Sequence, residues 1–282
     1  MQVDVNDTRL WFDVDGPVLV PRGDSMEARP TLVLMHGGPG SYDHSYFKPW
    51  FSRLADRMQI VYLDLREHGR SERGDPANWS FEACADDVRA FCDALGIVRP
   101  VVLGHSMGGF VAILYGSRHP GHASGLILLS TFARFDLDRI TEGFRSVAGD
   151  EVGELARRAY DDEDVTDSEW ARVFAAFGPH VPNEEELARR VRNEEVNERG
   201  GRLMTELDLL AELPKILSPT LVCAGSADPF LTTAADEILG GLRRGIGRLD
   251  VIEGAGHFPW LDTPDRVFEV IGDFAVEVSR SG

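Results

Sequence analysis

The run Gly104-His105-Ser106-Met107-Gly108-Gly109 follows an apolar segment, Pro100–Gly104, and opens a helical one, Met107–Arg118. A serine becomes an acyl-transfer nucleophile when its oxygen is held out on a sharp strand-to-helix turn, and that turn admits only small residues two places to either side. Gly104 and Gly108 meet the demand. Asp228 stands in Gly225-Ser226-Ala227-Asp228-Pro229, just past another apolar run, Thr220–Ala224, where a carboxylate on a rigid support can orient an imidazole. His257 stands in Gly254-Ala255-Gly256-His257-Phe258-Pro259-Trp260, after the strand-like run Arg248–Ile252. The glycines let that loop bend toward a nucleophile, and Phe258 and Trp260 are predicted to wall the ring from water and line the substrate site. The other common position for the acid, after Gly125–Leu129, holds Ser130-Thr131 and no acid before Asp136.

A tetrahedral intermediate needs two preorganised N–H donors. One is expected from Met107, the residue after the nucleophile. The other is expected from His36-Gly37-Gly38-Pro39-Gly40, at Gly38, where no side chain obstructs the substrate oxygen. No His-Glu-x-x-His, Cys-x-x-Cys or P-loop pattern is present, so neither a metal nor a cofactor is expected, and acyl transfer to water needs none.

The elements that must carry these residues alternate. Thr31–Met35, Gln59–Leu63, Pro100–Gly104, Gly125–Leu129 and Thr220–Ala224 read as buried strands. Between or after them, Phe47–Arg57, Phe81–Gly96, Met107–Arg118 and Pro264–Arg280 read as helices. That pattern predicts an α/β fold with a mostly parallel sheet covered on both faces. Gln2–Val5 and Thr8–Val14, parted by Asn6-Asp7, read as an antiparallel hairpin at its edge. Residues 132–213 break the alternation: they are helical in period and hold 21 Asp and Glu against 11 Arg and no Lys. An all-helical insert between two strands is expected to cap the carboxyl ends of the sheet and shape the pocket there. The division is a core of 1–131 and 214–282 with a cap of 132–213, and the order Ser…Asp…His is the one the α/β-hydrolase fold requires.

With a net charge of −18, the chain lacks the basic face that nucleic acid demands and would be repelled by anionic lipid. The partner expected is a small molecule or short peptide; the oligomeric state is left open. The apolar runs are too short to cross a bilayer, and the opening Met-Gln-Val-Asp-Val-Asn has no secretory pattern, so a cytoplasmic protein is expected. Cys84 and Cys92, eight apart on one helix, are about 12 Å from each other and cannot bridge.

Together these motifs resemble the proline iminopeptidase group of α/β-hydrolases. The resemblance rests on His-Gly-Gly-Pro-Gly at 36–40, on Asp64-Leu65-Arg66-Glu67-His68-Gly69-Arg70-Ser71, on the serine elbow, and on 254–260. It implies hydrolysis of the amide after an N-terminal residue, with cap carboxylates holding the free amine. Two departures stand out. Glu67 replaces a glycine of that group, and Gly201 follows Gly200 where the group carries a glutamate; Glu195 or Glu198 is the candidate substitute. The alternatives are a carboxylesterase or lactonase and, more remotely, a receptor that keeps the triad without turnover.

Overall fold

Five runs of Val, Ile, Leu and small residues form the centre of the molecule because each is buried on both faces, which leaves no polar alternation to preserve. The computed structural model describes residues 1–161 and 164–280. Its strands are β1 (Gln2–Val5), β2 (Thr8–Asp15), β3 (Leu19–Arg22), β4 (Ser25–Ala28), β5 (Thr31–Met35), β6 (Gln59–Leu63), β7 (Val101–His105), β8 (Gly125–Leu129), β9 (Thr220–Gly225) and β10 (Gly247–Ile252). Eight of them make one sheet in the order β1-β2-β6-β5-β7-β8-β9-β10. Strands β6 through β10 pair in parallel, and the hairpin β1–β2 adds an antiparallel edge through β2 and β6.

The helices are α1 (Lys48–Phe51), α2 (Phe81–Leu95), α3 (Met107–Arg118), α4 (Leu137–Ala148), α5 (Asp150–Tyr160), α6 (Asp167–Ala175), α7 (Glu184–Ala188), α8 (Glu194–Thr205), α9 (Leu231–Gly241), α10 (Pro259–Asp262) and α11 (Pro264–Arg280). Right-handed crossovers place α2, α3 and α9 on one face of the sheet and α1 and α11 on the other. The Phe51 and Phe268 rings, 5.1 Å apart, join α1 to α11 on the second face. Helix α2 begins where the Ser80 side chain accepts from Ala83 N and ends at Gly96 with φ 65°. Its inward stripe is Phe81, Cys84, Val88, Phe91 and Cys92. Helix α3 is buried almost all round, which suits the helix that follows the elbow. All three cysteines are free and buried.

Helices α4 to α8 all fall between β8 and β9. The fold departs from the sequence reading in several places, the unmarked helices α9 and α10 among them. Phe47–Arg57 is not one helix: Pro49 supplies no N–H, and the chain tightens into three-residue closures, Ala55 N to Ser52 O at 3.0 Å and Arg57 N to Leu54 O at 2.9 Å. The small hairpin β3–β4 was not predicted; Pro21, Arg22 and Glu27 mask its alternation. Among the described residues no helix is long and apolar enough to cross a membrane.

Candidate active site

Strand β7 delivers Ser106 into a tight turn with φ 53° and ψ −120°, a region that non-glycine residues rarely occupy. The turn is held by Ser106 N donating to Leu129 O at 3.0 Å, and by Gly109 N and Thr131 Oγ1 both donating to Ser106 O at 2.8 Å. A Cβ on Gly104 would stand 2.0 Å from the carbonyl oxygen of Gly108, so the strand and helix close on each other only because residue 104 lacks one.

Asp228 follows β9 and is buried; its Oδ1 accepts from Phe230 N at 3.0 Å. The loop after β10 brings His257 Nδ1 to 3.2 Å from both Asp228 oxygens. The carboxylate thus selects the Nδ1–H tautomer and leaves Nε2 as the ring's bare acceptor nitrogen. The rings of Phe177, Phe230 and Phe258 surround the imidazole at 4.8, 5.2 and 5.2 Å. Ser106 and His257 line one cavity of about 470 Å³ together with Gly38 and Met107. No hydrogen bond closes between the Ser106 hydroxyl and the His257 ring, a link that in ligand-free sites commonly tightens only with substrate.

The glycine loop narrows its own donors. Gly37 N donates to Tyr46 Oη at 2.7 Å, Gly40 N donates to His68 Nε2 at 2.8 Å, and Pro39 has no N–H. Gly38 is what remains. Across from it, the Met107 N–H is the first of α3, and the first N–H groups of a helix have no intrahelical partner.

Residues 32–270 match the alpha/beta hydrolase family. The chain belongs to that family. Its curated relatives include proline iminopeptidase PfmaB of Pestalotiopsis fici, 32% identical over 131 residues, a match spanning 46% of this chain and 43% of that one. The proline iminopeptidase of Heyndrickxia coagulans is 24% identical over 95% of this chain and 98% of its own length. Among solved structures, proline iminopeptidase from Mycobacterium smegmatis superposes with a TM-score of 0.76 at 21% identity, covering 100% of this chain and 99% of that one. The chain is accordingly a hydrolase.

The hydrolase's cavity receives some of the residues picked from sequence and not others. Phe258 and Glu198 line it. Glu195 does not: it is solvent-exposed in the first turn of α8, whose cavity-lining residues run from Asn197 to Thr205. Trp260 does not either. It is buried among Tyr46, Phe47 and Phe51 at 5.5, 5.3 and 5.7 Å, a core residue beneath the site.

Most of the hydrolase's cavity wall escaped the sequence reading. Phe132, Tyr160, Trp170, Phe174 and Phe177 reach it from the stretch between β8 and β9, and Tyr42, Phe110 and Phe230 from the rest of the chain. Trp170, Phe174 and Phe177 recur at the i, i+4, i+7 spacing of one helical face, and that periodicity was the available signal. Glu67 explains a departure noted above. It has φ 64°, where glycine is the easy occupant, and its Oε2 is buried without a partner. Among the described residues one cluster has metal-ligating types, Asp43, His44 and Asp64. Its oxygens are engaged within the protein: Asp43 accepts from Ser45 N and Val191 N, and Asp64 from His44 N, His44 Nδ1 and Arg70 N.

Proposed function

We propose that this hydrolase cleaves a small aminoacyl amide by serine acyl transfer. The observation that carries the reading is the Asp228–His257 pair at 3.2 Å, opening onto the cavity that Ser106 enters from a strained turn. Ser106 Oγ attacks the carbonyl carbon while its proton passes to His257 Nε2. The oxyanion is held by the amides of Gly38 and Met107. Collapse expels the amine, which takes the proton from His257. Water then attacks the acyl-enzyme, gives its proton to His257, and the serine leaves with that proton, so the net change is amide plus water to acid plus amine. Asp228 keeps the tautomer and stabilises the imidazolium.

Glu198 supports the aminoacyl substrate, since it places a carboxylate on the cavity wall able to meet an α-ammonium. At Gly201, also on the wall, no atom lies within 4 Å of where a Cβ would stand, so Glu198 acts without a neighbouring carboxylate there. The test compares aminoacyl arylamides with free and acetylated amines against short aryl esters. A free-amine preference that Glu198→Gln erases is expected; equal rates on blocked and free substrates would defeat the aminopeptidase reading.

One observation favours a second reading, an esterase or lactonase. Nine Phe, Tyr and Trp side chains line the wall, and Arg202, one turn from Glu198, can neutralise its carboxylate. Such a site suits an uncharged acyl group, and esters would then outpace every amide in the same panel.

A further inference from the structure

Between the glycine loop and the His257 loop lie two buried side chains that the proposed reaction leaves unused, Tyr46 and His105. Tyr46 ends the single turn His44–Tyr46, and His105 ends β7. Three hydrogen bonds run through them. His105 Nε2 lies 2.8 Å from the carbonyl oxygen of His257, His105 Nδ1 lies 2.9 Å from Tyr46 Oη, and Tyr46 Oη lies 2.7 Å from Gly37 N.

Chemistry fixes the direction of all three. A carbonyl oxygen only accepts, so His105 carries its proton on Nε2. Burial, with the His257 ring close by, holds His105 well below the usual imidazole range, so it is neutral and has one N–H. Nδ1 is then a bare lone pair and Tyr46 must donate its O–H to it. The Tyr46 oxygen in turn accepts from Gly37. The outcome is one ordered chain from Gly37 N–H through Tyr46 and His105 to His257 C=O, each bond polarising the next.

That chain ties the loop carrying Gly38 to the loop carrying His257. A Cβ on Gly37 would stand 3.2 Å from Ser106 Cβ and 3.3 Å from His105 Nδ1, so the glycine loop rests directly on the elbow. A hydroxyl placed only for packing would leave few dependents. Here its loss strands a buried donor at Gly37 and frees His105 to change tautomer and release His257.

We propose that Tyr46 and His105 are positioning residues that set the spacing between the oxyanion donor and the general base. The proposal rests on the assignment of Ser106, His257 and Gly38 above.

The experiment uses Tyr46→Phe, which keeps the ring stacked on Phe47 at 4.3 Å, and His105→Phe, which removes both nitrogens. Each single variant is expected to lower kcat by about tenfold to a hundredfold with KM within about twofold, as misplacement of catalytic groups does. The second-order rate of Ser106 phosphonylation by a neutral aryl phosphonate should fall by the same factor, while the number of titratable sites stays at one per chain. The double variant should be no worse than the worse single one, because a chain is broken once. A Tyr46→Phe kcat within twofold of wild type, a loss confined to KM, or multiplicative losses in the double variant would overturn the proposal. Wild-type protein that does not react with the phosphonate overturns the nucleophile assignment and the positioning role with it. Wild type that reacts, beside a Tyr46→Phe that reacts as fast, overturns the positioning role alone.

Discussion

The main-chain N–H of His257 donates to the carbonyl oxygen of Phe177 across 2.6 Å. Phe177 belongs to the helical insert, just beyond α6, and its ring also lies 4.8 Å from the imidazole. The histidine loop is therefore gripped from above by the insert and from below by His105, at 2.8 Å from the His257 carbonyl. Any motion that lifts the turn at Phe177 off the core must give up that bond, which couples access to the cavity to the placement of the imidazole.

The grip depends on close approach. A Cβ on Gly256 would stand 2.3 Å from both Gly178 Cα and Phe177 O. Gly256→Ala is expected to force the two segments apart, costing about 1–3 kcal/mol of stability as overpacking does. Activity should fall at least about tenfold, since a displacement of the order of 1 Å at a catalytic group can cost a hundredfold. Thermal melts and aryl ester kinetics check both; an active, equally stable variant would show that the insert does not set the histidine.

Asp228→Asn keeps the shape of the site and one acceptor for Phe230 N, 3.0 Å away, but no longer demands the Nδ1–H tautomer. A kcat lower by about 10³–10⁴ is expected, with the melting temperature little changed. A loss under tenfold, read in steady-state ester hydrolysis, would mean that another group orients His257.

Glu67 is strained and poorly solvated. Its φ of 64° and its unpartnered Oε2 both favour glycine, so Glu67→Gly is expected to stabilise the protein by about 1 kcal/mol. Burial holds its carboxyl above the ordinary 4.5, despite the hydrogen bond from Gly74 N. The folded state therefore binds the proton more tightly than the unfolded one. The resulting stabilisation is complete below 4.5 and is lost as pH rises through the raised folded value. Glu67→Gln should gain on wild type across that interval; urea midpoints that run parallel from pH 4 to 8 would contradict it.

Arg66 and Asp87 form a buried pair, Nε to Oδ2 at 2.6 Å and Nη2 to Oδ1 at 2.8 Å, with Asn6 Nδ2 adding 2.7 Å to Oδ1. The Asp87 hydrogen bond foremost pushes the Arg66 guanidinium further up. Asp87→Ala leaves that cation only the exposed Asp7 carboxylate, 2.9 Å from Nη2, and is expected to cost about 1–3 kcal/mol, whereas Arg66→Met with Asp87→Leu should cost less. Equilibrium denaturation of the three proteins decides; equal losses would show that geometry, not the poorly paired charge, sets the cost.

The sheet was legible in the sequence because a strand buried on both faces must be a short apolar run, and five such runs stand out. The elbow was legible for a similar reason: Gly104 and Gly108 mark where backbones nearly touch, a steric demand with few solutions. Local periodicity also placed the insert's helical character. It did not see the breakup of Phe47–Arg57, where Pro49 and successive three-residue closures outweigh an amphipathic pattern.

What the cavity is made of lay beyond the one-dimensional reading. Glu195 and Glu198 are three residues apart on one helix and alike in chemistry, yet only Glu198 borders the cavity. Glu195 lies in the first turn of α8, short of the stretch from Asn197 to Thr205 that lines the cavity, and where that stretch begins depends on how α8 packs, with Val196 buried and Gly200 against Pro39. Trp260 follows the histidine closely but belongs to the core, while Phe177, eighty residues earlier, holds the His257 backbone. Residue type and spacing report which groups a chain owns and which face of an element is apolar. Which group faces which, across elements distant in sequence, is settled by how whole helices and loops bury their surfaces against each other, and that belongs to the folded chain alone.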